Sequence, residues 1–154
     1  MSNLAPVILA LDVSSTNLGY VVYSNAVLAQ GEHRLGTGDI APRCQTAYDI
    51  VTMLLDQYVA IDCIAIESPV ARFAKAVIPQ ARVSGAILAL AAARWKHVIE
   101  VTPTSAKLAL SGKGNASKDT MMARASAYGV HGEHASDALG VALAAMKQVQ
   151  VVLA

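Results

Sequence analysis

The 154-residue chain is 55% hydrophobic and 15% charged, a composition that supports a packed core and excludes a disordered chain. No apolar run reaches the roughly 18 residues of a membrane span without a charge or proline, and no basic segment precedes the first apolar run as a signal peptide requires. The formal net charge is +1, but it is the balance of two unlike regions.

The first apolar run, residues 8–13, is too short for an ordinary helix and carries one carboxylate, Asp12. A polar turn at 14–17 and a second apolar run to Tyr23 follow, which reads as a β-hairpin with both strands largely buried. An ionised Asp in such a strand is costly unless a partner or a metal neutralises it. The competing reading is an Asp that caps the turn through its own hydrogen bonds. Residues 26–35 alternate loosely and supply a third strand, closed by Gly36-Thr37-Gly38.

Ala47, Ile50, Val51, Leu54, Leu55 and Tyr58 recur at helical spacing and form the clearest amphipathic helix. Residues 61–67 make a short buried strand that ends on a second acid, Glu67, before Pro69. Residues 77–94 are apolar nearly all round, so this helix needs cover on more than one side, from the sheet and from a second subunit. A strand at 98–101 ends at Pro103, and a short helix follows over 104–110. Ser117 caps a further helix running to about Tyr128, which Gly129 terminates. The last helix begins near Glu133, with Ala135, Ala138, Leu139, Ala142, Ala145, Met146 and Val149 as its buried stripe and with His134 and Asp137 on the opposite face. Strands first, then strand and helix in alternation, give one α/β domain over 1–154 around a mixed sheet. Cys44 and Cys63 lack CxxC spacing and read as reduced core thiols of a cytosolic protein.

Residues 68–126 hold nine bases (Arg72, Lys75, Arg82, Arg94, Lys96, Lys107, Lys113, Lys118 and Arg124) against two acids, Glu100 and Asp119, while the rest of the chain holds three bases and nine acids. This segregation suggests a basic face for a polyanion beside an acidic site, against the plainer reading of a solvated helix surface. Asp12 and Glu67 on neighbouring strands would begin a divalent-metal site, since Mg²⁺ takes oxygen ligands. His134 and Asp137 share a helix face, and Glu133 is a rival ligand within the same turn. Each acid also has a plainer reading as a turn or first-turn helix residue. Lys107, Lys113 and Lys118, interleaved with Gly112, Gly114 and Ser117, suit approach to backbone phosphates. The Gly-Lys-Gly segment lacks the spacing of a nucleotide-binding P-loop.

Taken in order, Leu-Asp-Val-Ser with Gly-Tyr after it, Ile-Ala-Ile-Glu, Lys then Gly-Lys-Gly-Asn-Ala-Ser-Lys, and His-Ala-Ser-Asp-Ala-Leu resemble the RuvC family of Holliday-junction resolvases over almost the whole chain. The resemblance implies an RNase H-like fold, a central mixed five-stranded sheet flanked by helices. It implies two Mg²⁺ or Mn²⁺ ions held by Asp12, Glu67, His134 and Asp137, with Asp12 as bridging ligand and Lys107 and Lys118 as functional lysines. Many members carry Asp at the position of His134, which leaves its role as ligand or base open. Arg72, Phe73, Lys75 and Lys113 are the expected DNA contacts, with Phe73 either stacking near the junction centre or packing in the core.

The implied partner is a four-way DNA junction, nicked symmetrically by a homodimer, with a branch-migration motor as a candidate further partner and no membrane. The implied location is the nucleoid-bearing cytoplasm, or an organelle or phage-infected cell. Three rivals stand beside this reading: a nucleotide-dependent sugar-kinase relative, for which 154 residues leave no second phosphate loop; a relative acting on other branched DNA or on RNA ends; and a junction-binding protein without cleavage, which would gain nothing from carboxylates facing phosphate.

Overall fold

The first apolar run becomes strand β1 (Ile8–Val13), buried at all six positions. The computed structural model describes residues 4–70 and 74–153, so Arg72 and Phe73 lie outside the described residues. Strand β2 (Asn17–Tyr23) returns antiparallel to β1, and β3 (Val27–Arg34) extends the meander. Helix α1 (Ile40–Gln57) leads to β4 (Cys63–Glu67), α2 (Ala74–Ala93) to β5 (His97–Val101). Helices α3 (Pro103–Ser111), α4 (Lys118–Ser126) and α5 (Glu133–Leu153) complete the described chain. The sheet order is β3-β2-β1-β4-β5, with β4 parallel to both β1 and β5.

Strand alternation sorts the side chains into two cores. Leu9, Leu11 and Val13 of β1, with Ile64 and Ile66 of β4, pack on Ala47, Val51 and Leu54 of α1 and on Val83, Ile87 and Leu90 of α2. Ile8 and Ala10, with Cys63 and Ala65, pack on the other face against α5 and parts of α3 and α4. By the same period of two, Asp12 and Glu67 point to the α5 side. Asp12 follows the last paired residue Leu11, and Glu67 follows its partner Ile66, so the two acids leave neighbouring strands at one level.

The polar turn after β1 is organised by Ser14, not by Asp12. Ser14 Oγ accepts from the backbone N–H of Thr16 (3.2 Å) and Asn17 (2.9 Å), and the Ser14 N–H donates to the Asn17 carbonyl at 2.9 Å. The turn therefore needs nothing from Asp12. Arg43 on α1 donates to the carbonyl of Ser15 at 2.7 Å and of Gly38 at 2.7 Å, which fixes the turn to the sheet's α1 face.

Helix starts follow the caps in the sequence. Thr102 accepts from the Ser105 N–H with Pro103 at the first helical position, and Ser117 accepts from the Thr120 N–H. Helix α4 stops at Ser126, short of the expected Tyr128, and Gly129 lies beyond it with φ 75°. Helix α2 begins three residues before the expected 77 and runs through Pro79. By length and hydropathy the segment Lys75–Ala93 could cross a membrane, but Pro79 and Arg82 interrupt it and its inner face packs on α1 and the sheet. On α5 the expected stripe is buried through Met146, and Val149 packs against it. The opposite-face expectation for His134 and Asp137 is corrected. Both are half-buried beside the stripe, since the first turns of α5 lie over the sheet close to Asp12. Both cysteines are free; Cys63 is buried and Cys44 half-buried.

Candidate active site

Asp12 is 8% exposed. Its Oδ2 lies 2.8 Å from Nδ1 of His134, in the first turn of α5. That hydrogen bond raises the His134 pKa above its usual 6.5, against the opposing effect of burial. Glu67 is pushed up to about 7 by burial first, then by the charges of Asp12 and Asp137, with Lys107 opposing. Asp137 is pushed up to about 6, again by burial first, then by Asp12 and Glu133, with His134 and Lys107 opposing. Three carboxyls thus crowd one partly desolvated place.

Glu67, Asp137 and Lys107 line a small cleft together with Pro103, Ala106 and Met121. Lys107 enters it from α3. Lys118, at the start of α4, pairs with Glu133, which raises the lysine and lowers the acid. Glu133 is thereby turned to Lys118, and the imidazole at Asp12 is that of His134. Lys75 and Lys113 are exposed outside the cleft lining. Two bases of the basic stretch serve elsewhere: Arg94 pairs with Asp56 at 2.8 Å and Lys96 donates to the Ile61 carbonyl at 2.6 Å, both where the parallel strands begin. The basic region is therefore not one continuous face.

Among the described residues no three acids, imidazoles or thiols are gathered closely enough to make a finished metal cage. The donor chemistry nevertheless fits hard divalent cations, which take carboxylate oxygens and keep several waters of their own. Two partly buried carboxyls held above their ordinary range are groups that such a cation would relieve.

Sequence reasoning did not single out several residues that build this place. Gly19 pairs with Asp12 on one side and with Glu32 on the other, and a Cβ there would strike the His134 backbone. Glu32 Oε1 accepts from the backbone N–H of His134 at 2.7 Å and of Ala135 at 3.1 Å. Gln80 of α2 donates to the Val13 carbonyl at 2.9 Å, just after Asp12. The Gly that follows the polar turn was visible as a motif member, but the other contacts span 67 residues or more and leave no local pattern.

A five-stranded mixed sheet with acids at the carboxyl ends of β1 and β4, answered by an acid on the last helix, defines an RNase H-like nuclease. The family model described as "Crossover junction endodeoxyribonuclease RuvC" matches residues 8–145. The chain belongs to that family and is a metal-dependent, junction-resolving endonuclease. Among solved structures it is similar to Thermus thermophilus RuvC in complex with a Holliday junction substrate (21% identity, 95% of this chain and 96% of that chain, TM-score 0.80). It is also similar to the yeast mitochondrial Holliday junction resolvase Ydc2 (12% identity, 99% and 85%, TM-score 0.68). A third likeness is the fowlpox virus resolvase in complex with Holliday junction DNA (13% identity, 93% and 98%, TM-score 0.60). At these identities the likeness is one of fold. No curated protein matches the chain by sequence.

Proposed function

We propose that the chain cuts four-way DNA junctions at the cleft lined by Glu67 and Asp137, beside the Asp12–His134 pair, as a homodimer that nicks two strands symmetrically. The observation that carries this reading is the crowding of three carboxyls in one partly buried place, which lifts Glu67 to about 7 and Asp137 to about 6. Three anions so placed repel one another and gain from added positive charge. Two Mg²⁺ or Mn²⁺ ions held by these carboxylates and His134 would supply charge to the phosphodiester and stabilise the departing 3′-oxygen.

The chain's own residues arrange the substrate. Lys107 in the cleft wall is placed to meet the scissile phosphate as its charge grows. Lys118, once it leaves Glu133, and Lys113 and Lys75 hold flanking phosphates, which position DNA without reading its bases. Arg72 is assigned to DNA contact and Phe73 to stacking near the junction centre. His134 engages Asp12 through Nδ1, so Nε2 is the ring atom left to hold or release a proton at the cleft.

The homodimer rests on α2. Only 28% of its Lys75–Ala93 segment is buried. Ile78 and Leu88 are exposed, with Ala81, Gly85 and Ala89 exposed between and beside them. This is a narrow stripe of apolar and small residues at helix-packing spacing, of the kind a second helix covers.

The test is cleavage of a synthetic four-way junction against a linear duplex of the same sequence, with Mg²⁺, Mn²⁺ or EDTA. The junction is cut with either ion and the duplex is spared. Asp12→Asn abolishes cutting while junction binding persists or tightens, because a charge facing phosphate is gone. Wild-type cutting by that variant would end the proposal.

A further inference from the structure

We propose that Glu32, on edge strand β3, is a positioning residue that sets His134 and Asp137 against Asp12. The proposal deepens the reading of the cleft above and rests on it. Three contacts carry it. Glu32 Oε1 accepts from the N–H groups of His134 and Ala135, two donors of the first turn of α5. Such groups otherwise have no partner within the helix, so Glu32 acts as an N-cap supplied from 102 residues away. Its carboxylate charge also faces the positive end of the helix dipole.

The second contact is register. Asp12, Gly19 and Glu32 stand opposite one another on β1, β2 and β3. Asp12 takes the ring of His134, Gly19 makes room for its backbone, and Glu32 takes its N–H. One row of three strands therefore grips one residue at three points. The third contact is Gly132, just before α5, with φ +97° and with Glu32 occupying the space where a Cβ would lie. The chain enters α5 through a conformation that favours glycine and presses against Glu32.

If the cap fails, the first turn of α5 loses its anchor and His134 and Asp137 move together relative to Asp12 and Glu67. Binding of DNA through Lys107, Lys113 and Lys118 does not involve this cap. Loss of Glu32 therefore lowers the rate of cutting and leaves affinity for the junction alone.

Glu32 is exposed, so substitutions there leave the fold intact. Glu32→Ala is compared with Glu32→Gln, which keeps the accepting Oε1, and with Asp62→Ala, which removes a similar carboxylate bond to the Val7 N–H (2.8 Å) where the parallel strands begin. Glu32→Ala lowers kcat about fivefold or more, the population change expected from a lost cap, with junction Kd in EDTA unchanged. Glu32→Gln restores most of the rate, and Asp62→Ala cuts normally. In metal-free protein the imidazole resonances of His134 shift in Glu32→Ala, while those of the distant His97 hold still.

Unmoved His134 resonances together with an unchanged kcat would overturn the positioning role, and so would a loss confined to junction Kd, which would make Glu32 a DNA contact. Equal loss in Glu32→Gln and Glu32→Ala would overturn it too, by showing that the hydrogen bonds accepted by Oε1 do not set the rate. Absence of junction cutting by the wild type would instead refute the function proposed for the cleft, and the resonance measurement would still decide the role of Glu32.

Discussion

Replacing Glu67 by Gln separates the electrostatics of the cleft from its catalysis. In metal-free protein, burial and then the charges of Asp12 and Asp137 raise this carboxyl from 4.5 to about 7. A carboxyl whose folded value exceeds its unfolded value stabilises the fold fully below the unfolded value and loses that contribution as pH rises through the folded one. Glu67 therefore weakens the fold progressively between about pH 4.5 and pH 7. At pH 8 the shift corresponds to about 3 kcal/mol at 1.36 kcal/mol per unit. Glu67 is only partly buried, and solvent screening brings this to about 2 kcal/mol.

Gln has nearly the same shape and no charge, so the deficit disappears. For a chain of this size about 1 kcal/mol moves Tm by roughly 2–4 °C. Glu67→Gln in EDTA should melt about 4–8 °C above wild type at pH 8, with the gap closing below about pH 4.5, where the Glu67 carboxyl is neutral in the folded and the unfolded chain. Adding Mg²⁺ should reverse the comparison, because wild type gains from binding while the variant has lost an oxygen anion. The assay is thermal unfolding across pH, with and without metal. A gap that is absent at pH 8, or that stays constant with pH, would refute the idea that Glu67 sits in a desolvated acidic cluster.

His134 should titrate above pH 6.5 in metal-free protein, and Asp12→Asn should lower that value, as read by NMR of the imidazole. The His134–Asp12 attraction then stabilises the fold below about pH 6.5 and is lost as pH rises through the raised value; cutting, which needs the neutral ring, falls as pH drops through it. His134→Asp should keep substantial activity and favour Mg²⁺, whereas His134→Ala should lose about 100-fold or more. Lys107→Ala should reduce kcat far more than binding, whereas Lys118→Ala should chiefly reduce the salt slope of binding by about one unit, and Lys147→Ala should do neither; kinetics and salt titrations of Kd distinguish them. Ile78→Glu, on the exposed face of α2, should convert a sedimenting dimer into a folded monomer that no longer makes paired nicks.

The strands, the cap at Ser117 and the stripe of α5 were legible in the sequence because each depends on spacing of two or 3.6 residues and on local turn chemistry. The two strand acids and the His134–Asp137 pair were legible as well, because buried carboxyls are costly and a spacing of three shares a helix face. Their meeting was not. It depends on β4 lying parallel beside β1, so that Asp12 and Glu67 leave neighbouring strands at one level, and on alternation pointing both at α5. The sequence misplaced His134 and Asp137 opposite the buried stripe, because a helical period reports which residues share a face and not how far the helix end overlies a sheet. It was also silent on Glu32 and on the contact of Gly19 with α5, since both contacts cross more than 100 residues. Close packing of a helix terminus on a strand row is a property of the assembled fold, and local sequence carries no periodic trace of it.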